Sequence, residues 1–373
     1  MLAALDHGPV ARSTIARLAG LSPAAVSRQC ADLIGRGLLT EVAGGDAEPA
    51  GREAGKPAGR PHVPVDLDTS RPVACGVHIA LRHATLALLD LRGRVLARER
   101  LPHAGTPDPA RVLDRIAARL PEFTAGPVLG IGVATGGWVD AGAGVIVDHP
   151  LLGWRDVRVR ERLERRTGLP VRADGHSRAL ARAEQLLGDQ RARSSVVHLF
   201  VGNVVDAAFA VGGTIQHGPR SAAGTIAHLP LPGHADRCGC GRAGCLQAVV
   251  SERALAARAA AAGVVAEPSF GLLLEAAIAG DRHAVAMFRQ RARAVGAAAA
   301  VLLDMLNPEV LVIVEAGAMH LPGCLDVLRD EARRQAAGAS EPPIAVTSFG
   351  RDVLAIAAGT VMLSEIYANP LAI

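Results

Sequence analysis

The segment His228–Cys245 reads HLPLPGHADRCGCGRAGC. It carries Cys238, Cys240 and Cys245, three of the six cysteines of the chain, interleaved with glycine. His228 lies a short stretch upstream. A tetrahedral zinc ion takes four such thiolate and imidazole donors, and glycine lets a tight loop wrap the ion. His228, Cys238, Cys240 and Cys245 are therefore the expected metal ligands. Four protein donors leave no open coordination position, so the zinc is expected to be structural.

The 373 residues suffice for two or three domains. Half are hydrophobic and only 2% aromatic, so the core has to be built from Ala, Val and Leu. Lys56 is the only lysine; arginine carries nearly all the positive charge. The net charge of +4 neither demands nor excludes nucleic acid. The opening MLAALDHGPVARS has no basic start followed by a long apolar core, so no signal peptide is expected. The apolar run Ala297–Leu306 is too short to span a bilayer, and no membrane partner is expected. Cys30, Cys75 and Cys324 are isolated in apolar settings and read as buried small hydrophobes. One metal site without a disulfide framework fits a cytoplasmic protein.

Residues 1–65 read as a winged helix-turn-helix. Leu2–Leu5 is the remnant of a first helix. Arg12–Ala19 is a second, with Ile15 and Leu18 inward, and Gly20-Leu21 makes a turn. Ser22 is a natural N-cap, and Pro23 sits at the first helical position, where its missing N–H costs nothing. The third helix runs to about Arg36, with Val26, Cys30, Leu33 and Ile34 on one face. Leu38–Val42 reads as the first wing strand and Val63–Leu67 as an alternating strand. Between them, the Gly-, Ala- and Pro-rich residues 43–61 form a wing tip or linker. The helix face opposite the apolar stripe carries Ala24, Ser27, Arg28 and Ala31. Small and hydrogen-bonding residues there suit entry into a major groove of double-stranded DNA. Ser22, Ala24, Ser27 and Arg28 are the expected DNA contacts, with Arg60 reaching a minor groove. Seven basic against six acidic side chains in this segment give +1, so charge alone does not indicate DNA. A three-helix protein-binding module would look similar.

From about Arg71 the pattern changes. Ala74–Ile79, Thr85–Asp90 and Arg94–Arg98 read as a meander, followed by a helix over Ala110–Leu120 and a buried strand over Val128–Val133. Val145–Val147 and Val171–Ala173 flank the next helix. A second meander begins at Val196–Val201 and Asp206–Val211, and a late buried strand spans Val310–Val314. Two similar halves of this kind predict a duplicated α/β fold with a cleft between its lobes.

Gly224-Thr-Ile-Ala-His228 followed by Cys238-x-Cys240-x4-Cys245-Leu-Gln247 resembles the signature of the ROK family of repressors, open reading frames and sugar kinases. The resemblance continues through Leu129–Gly137, through His149-Pro-Leu-Leu-Gly-Trp154 and into Arg172-Ala-Asp174. The winged helix with its Gly59-Arg-Pro61 is similar to that of the family's repressor branch. This resemblance implies an α/β fold of two lobes, actin-like and hexokinase-type (ribonuclease H-like), over residues 71–373. Lobe one would span about 71–185 plus the C-terminal helix. Lobe two would span about 186–350 and carry the zinc. It also implies that His228 holds the metal while facing the sugar pocket. The metal then either staples a loop only or connects ligand occupancy to loop geometry.

A sugar kinase of this family holds ATP phosphates on an Asp-x-Gly-Gly-Thr-Lys hairpin, where glycines allow close backbone approach. Here the corresponding place reads Gly76-Val-His78-Ile-Ala-Leu-Arg82. The second phosphate hairpin reads Gly202-Asn-Val-Val-Asp206, and the late Gly-Gly turn is Glu315-Ala-Gly317, which would put a carboxylate where the nucleotide lies. ATP binding is therefore not expected. By the resemblance Asp174 is the vestigial kinase base, preceded by Ala173 in place of asparagine. The family's two further sugar-binding glutamates fall at Thr225 and Gln247. Gly136, Gly137, Asp174, Thr225, His228 and Gln247 are the expected ligand contacts. Arg172, Arg178 and Arg220 either meet a ligand phosphate or are solvated surface. A sugar, amino-sugar or sugar-phosphate effector is expected, alongside a different small molecule or a vestigial pocket. The expected protein is a repressor of sugar or amino-sugar genes that binds an inverted-repeat operator as a homodimer or homotetramer. The alternative is a sugar kinase with an accessory winged-helix domain.

Overall fold

The computed structural model describes residues 1–42, 63–71, 73–103, 107–338 and 341–372. The wing tip or linker and Arg60 lie outside them.

The N-terminal module is built from α1 (Leu2–His7), α2 (Arg12–Ala19), α3 (Pro23–Gly35) and the antiparallel pair β1 (Leu39–Glu41) and β2 (Val65–Leu67). Gly20 ends α2 in the left-handed region that its missing Cβ permits. The Ser22 hydroxyl accepts the Ala25 N–H at 3.3 Å and starts α3 at Pro23. Val26, Cys30 and Leu33 are buried, as their spacing requires. Leu18 is not inward: it is 47% exposed. At 100° per residue Leu18 lies about 160° from Ala16, the buried residue of α2, and so faces outward. Helix α1 also extends two residues beyond the expected Leu5, and β2 starts at Val65 rather than Val63 and ends at Leu67 as expected.

The rest of the described chain forms two sheets with one topology. The first comprises β3 (Ala74–Ile79), β4 (His83–Leu89), β5 (Val95–Pro102), β6 (Gly130–Thr135) and β10 (Val171–Gly175), in the order β10-β6-β3-β4-β5. A small antiparallel sheet of β7 (Trp138–Asp140), β8 (Val145–His149) and β9 (Trp154–Val157) is inserted after β6. The second large sheet comprises β11 (Val196–Val201), β12 (Val205–Val211), β13 (Thr214–Ile215), β14 (Val310–Glu315) and β15 (Ile344–Val346). Its order, β13-β12-β11-β14-β15, repeats the first with β11 in the place of β3. In each, the first strand pairs antiparallel with the second and parallel with the fourth. Helices α4 (Pro109–Thr124) and α5 (Val159–Thr167) cover the first sheet, and α6 (His176–Leu187) packs against both.

Lobe two adds α7 (Leu246–Val250), α8 (Glu252–Ala261), α9 (Phe270–Ile278), α10 (Arg282–Leu306), α11 (Ala316–His320) and α12 (Cys324–Gln335). The closing helix α13 (Val353–Ala368) returns to lobe one and lies directly on β3 and β6. Glycine makes that approach possible. A Cβ on Gly132 would stand 2.1 Å from the Ala358 carbonyl oxygen, and one on Gly76 2.5 Å from the Gly359 nitrogen.

The winged helix is not tethered loosely. Ala4, Val26, Cys30, Leu33 and Leu67 share one continuous core with Ala74, Leu89, Met362 and Ile366 of lobe one. Arg92 donates to Asp66 at 2.6 Å and to the Leu5 carbonyl at 3.3 Å. One ion pair, Arg193 to Asp6 at 2.7 Å, reaches the module from the approach to β11. No described helix is long and apolar enough to cross a membrane.

Candidate functional site

Donor atoms of His228, Cys238, Cys240 and Cys245 all lie within 4.8 Å of one another. His228 Nδ1 is 3.5 Å from Cys238 Sγ, and Cys240 Sγ is 3.7 Å from Cys245 Sγ. Zinc bonds of about 2.3 Å to sulfur and about 2.05 Å to nitrogen put tetrahedral S–S and N–S pairs about 3.8 and 3.6 Å apart. The four residues therefore fit a zinc ion. The loop is shaped by backbone bonds from Cys238 N–H to Arg242 and from Gly244 N–H to Asp236. Gly244 holds φ +70°, and a Cβ there would meet the His234 carbonyl at 2.6 Å. The Arg242 guanidinium beside Cys240 lowers its thiol pKa to about 6.

The metal loop is also a wall of the cleft between the lobes. This cleft, about 890 Å³, is lined by Gly137 and Trp138 from lobe one, Gly175–Arg178 from the start of α6, and Val204 and Asp206 from β12 and its hairpin. Thr225, His228, Cys238, Cys240, Gln247 and Arg253 complete the lobe-two side. The expected contacts Gly137, Thr225, His228 and Gln247 are thus brought together. Gln247 is not a free hydrogen-bonding group, however. Its amide accepts the Val205 N–H at 2.8 Å and donates to the Asn203 carbonyl at 2.5 Å, which holds the β11–β12 hairpin.

Two expected ligand contacts lie elsewhere. Gly136 is absent from the lining; a Cβ there would meet Val204 and His176. Asp174 lines a separate cavity of about 470 Å³. Its carboxylate accepts the Arg178 Nε–H and the Gly175 N–H, both at 2.7 Å. Strand β10 continues past Asp174, and α6 begins at His176. It is therefore His176 that meets the cleft, a residue the sequence reading passed over in favour of a surviving aspartate. The signal that finds it is position: it is the first helical residue after the strand.

His176 is 4% exposed and stacks on Phe200 with ring centroids 4.1 Å apart. Its Nε2 stands 3.7 Å from Asp206 Oδ2 across the lobes. Burial, reinforced by the nearby His78, His149 and His198, holds the His176 pKa well below its ordinary value, so the ring is neutral. Burial raises the Asp206 pKa to about 7, against the pull of the Arg178 charge.

Two residues expected on the nucleotide side, His78 and Glu315, are buried. His78 is buried in β3 with its pKa lowered by burial to about 3. Glu315 is not an open carboxylate. It is fully buried, 2.5 Å from the equally buried Arg291, and it caps α11 through the Ala318 N–H. Arg291 also donates to the Val250 and Val201 carbonyls. The three arginines offered to a phosphate are engaged as well. Arg172 pairs with Glu365, Arg178 with Asp174, and Arg220 lies over the Trp138 ring at 4.9 Å. The loop at Arg220 and Ser221 straps the lobes together. Trp138 Nε1 donates to the Arg220 carbonyl at 2.8 Å and Arg178 to the Ser221 carbonyl at 2.9 Å. Both loop residues hold positive φ, a strained state for non-glycine side chains.

On α3, Ser22, Ala24, Ser27, Arg28 and Ala31 are all exposed on one face. Arg28 makes no ion pair among the described residues.

Residues 74–362 match the ROK family. A protein named as a transcriptional regulator in Mycobacterium tuberculosis is 35% identical over 383 residues, spanning 98% of this chain and 84% of that protein. The chain belongs to the ROK family. The DNA-binding transcriptional repressor Mlc of Escherichia coli is 26% identical over 358 residues, spanning 91% of this chain and 86% of Mlc. A crystal structure of a ROK-family transcriptional regulator, a homologue of that protein, superposes with a TM-score of 0.80 at 22% identity, covering 98% of this chain and 94% of the other. A ROK-family glucokinase from Streptomyces griseus shares the two-lobed fold with a TM-score of 0.69 at 24% identity, covering 77% and 98%. The full-length likeness, winged helix included, is to the regulators, and this chain is a transcriptional regulator of the ROK family.

Proposed function

We propose that this ROK protein represses genes of sugar or amino-sugar uptake or catabolism by binding an inverted-repeat operator as a homo-oligomer. A small-molecule effector of the sugar class would occupy the cleft. The observation that carries the reading is the single core shared by the winged helix and lobe one. A change of lobe arrangement would then move the recognition helices of an oligomer relative to one another. The exposed face of α3, with Ser22, Ala24, Ser27 and Arg28, would enter the major groove, and Arg60 would reach the minor groove.

The chain is proposed to lack kinase activity. Asp174, at the family's base position, is paired with Arg178 and lines a separate cavity, and the buried Arg291–Glu315 pair would stand where a nucleotide is expected. A zinc ion held by His228, Cys238, Cys240 and Cys245 would have a structural role and stiffen one wall of the cleft. An ADP-release assay over a panel of hexoses and amino-sugars, run beside a gel shift with upstream DNA, tests the reading. Operator binding without turnover supports it. Sugar-dependent ATP turnover would establish a kinase with an accessory domain instead.

A further inference from the structure

The floor of the cleft holds polar groups that the fold leaves unpaired. Ser177 is 4% exposed and His176 likewise; neither Ser177 Oγ nor His176 Nε2 has a hydrogen-bond partner among the described residues. Buried polar atoms are paired in all but a few cases, so two adjacent orphans call for a ligand or water. Both residues line the cleft and both lie in the first turn of α6, a helix of 12 residues. The N-cap of that helix is Gly175, and no side chain caps it. First-turn N–H groups have no intrahelical acceptor, and with the helix dipole they favour negative charge.

The charges around this floor agree. The lining carries Arg155, Arg178 and Arg253 against Asp148 and Asp206. Arg155 stands 3.6 Å from Asp148, and Arg178 is paired with Asp174. Arg253, exposed at the start of α8, has no partner among the described residues. The groups facing Asp206 are His176 and Arg178, and those facing His176 are His78, His149 and His198. All four histidines are held neutral by burial. Burial raises the Asp206 pKa to about 7, so at neutral pH much of this carboxyl is uncharged and its repulsion of an anion is reduced. Thr225 and Gln247 add no carboxylate.

The geometry points to an oxyanion subsite at the N-terminus of α6, in which the Ser177 hydroxyl, the His176 ring and the first-turn amides hold a phosphate or carboxylate of the effector. Arg253 would close over it from lobe two. The inference rests on the reading of the cleft as an effector site and specifies the chemistry of that effector: an anionic sugar, phosphorylated or acidic.

Isothermal titration of the full-length protein would use four probes: free hexoses, the matching hexose 6-phosphates, hexuronates and inorganic phosphate. At least one phosphorylated or acidic sugar should bind tenfold or more tightly than its uncharged counterpart. Ser177→Ala and the exposed Arg253→Ala should each weaken that ligand three- to thirtyfold and leave the free sugar unaffected, with the fold verified by circular dichroism. Preference for phosphorylated over acidic sugars identifies the source of the oxyanion. If free hexoses bind as well as or better than the anionic ones, the subsite is refuted while the effector reading stands. If no probe of any kind binds, both fall.

Discussion

Replacing Arg291 by methionine isolates its buried ion pair with Glu315. Both side chains of the Arg291–Glu315 pair are 0% exposed. The substitution keeps much of the apolar volume but leaves a buried carboxylate without its cation, and the Val250 and Val201 carbonyls without their donor. Breaking one side of such a pair costs about 3–5 kcal/mol. At about 4 kcal/mol the loss is roughly a thousandfold in the opening equilibrium. Hydrogen exchange of the β14 amides reads that opening in place. Protection in Arg291→Met should fall about a thousandfold at pH 7.5 relative to the parent at the same pH. Adding Glu315→Gln removes the stranded charge and should restore most of the protection. A deficit below about 1 kcal/mol, or no rescue by glutamine, would refute the buried-pair reading.

Three other outcomes follow from the same structure. Elemental analysis of protein purified without chelator should give about one zinc per chain, and Cys245→Ser should lose it; metal-free protein of unchanged thermal stability would remove the structural role. Arg28→Ala should weaken operator binding by about 1–3 kcal/mol with the fold intact, because Arg28 is exposed; unchanged affinity in a gel shift would displace α3 as the recognition helix. Asp206 has a folded pKa raised to about 7, so ionising it costs stability as pH rises from its unfolded pKa through 7. Asp206→Asn should therefore gain on the parent by about 3 kcal/mol between pH 5 and 8 in urea melts, and parallel pH profiles would contradict the assignment.

Much of the fold was legible because its determinants are local. The Ser22 cap, Gly20, the apolar stripe of α3 and the runs that became β3, β11 and β14 each carry their instructions within a few residues. The knuckle was legible for the same reason: its donors span one loop. What remained hidden depends on distant partners. Glu315 looked like an open carboxylate because Arg291, which neutralises it, lies a whole helix away in sequence. Asp174 was an expected ligand contact through the family resemblance, which carries no information about Arg178, one turn later, with which it pairs. The core joining Leu33 and Leu67 to Met362 and Ile366 brings together opposite ends of the chain, and no periodicity announces it. The short strands β7 and β9 have too few residues to show an alternation.

This ROK chain is proposed to read DNA through its winged helix. DNase I footprinting of purified full-length protein on the region upstream of its own gene and neighbouring genes tests it most directly. Protection is expected over an inverted repeat whose half-sites lie one or more helical turns apart, weakened by Arg28→Ala. Absence of any protected segment at protein concentrations that saturate non-specific binding would contradict it.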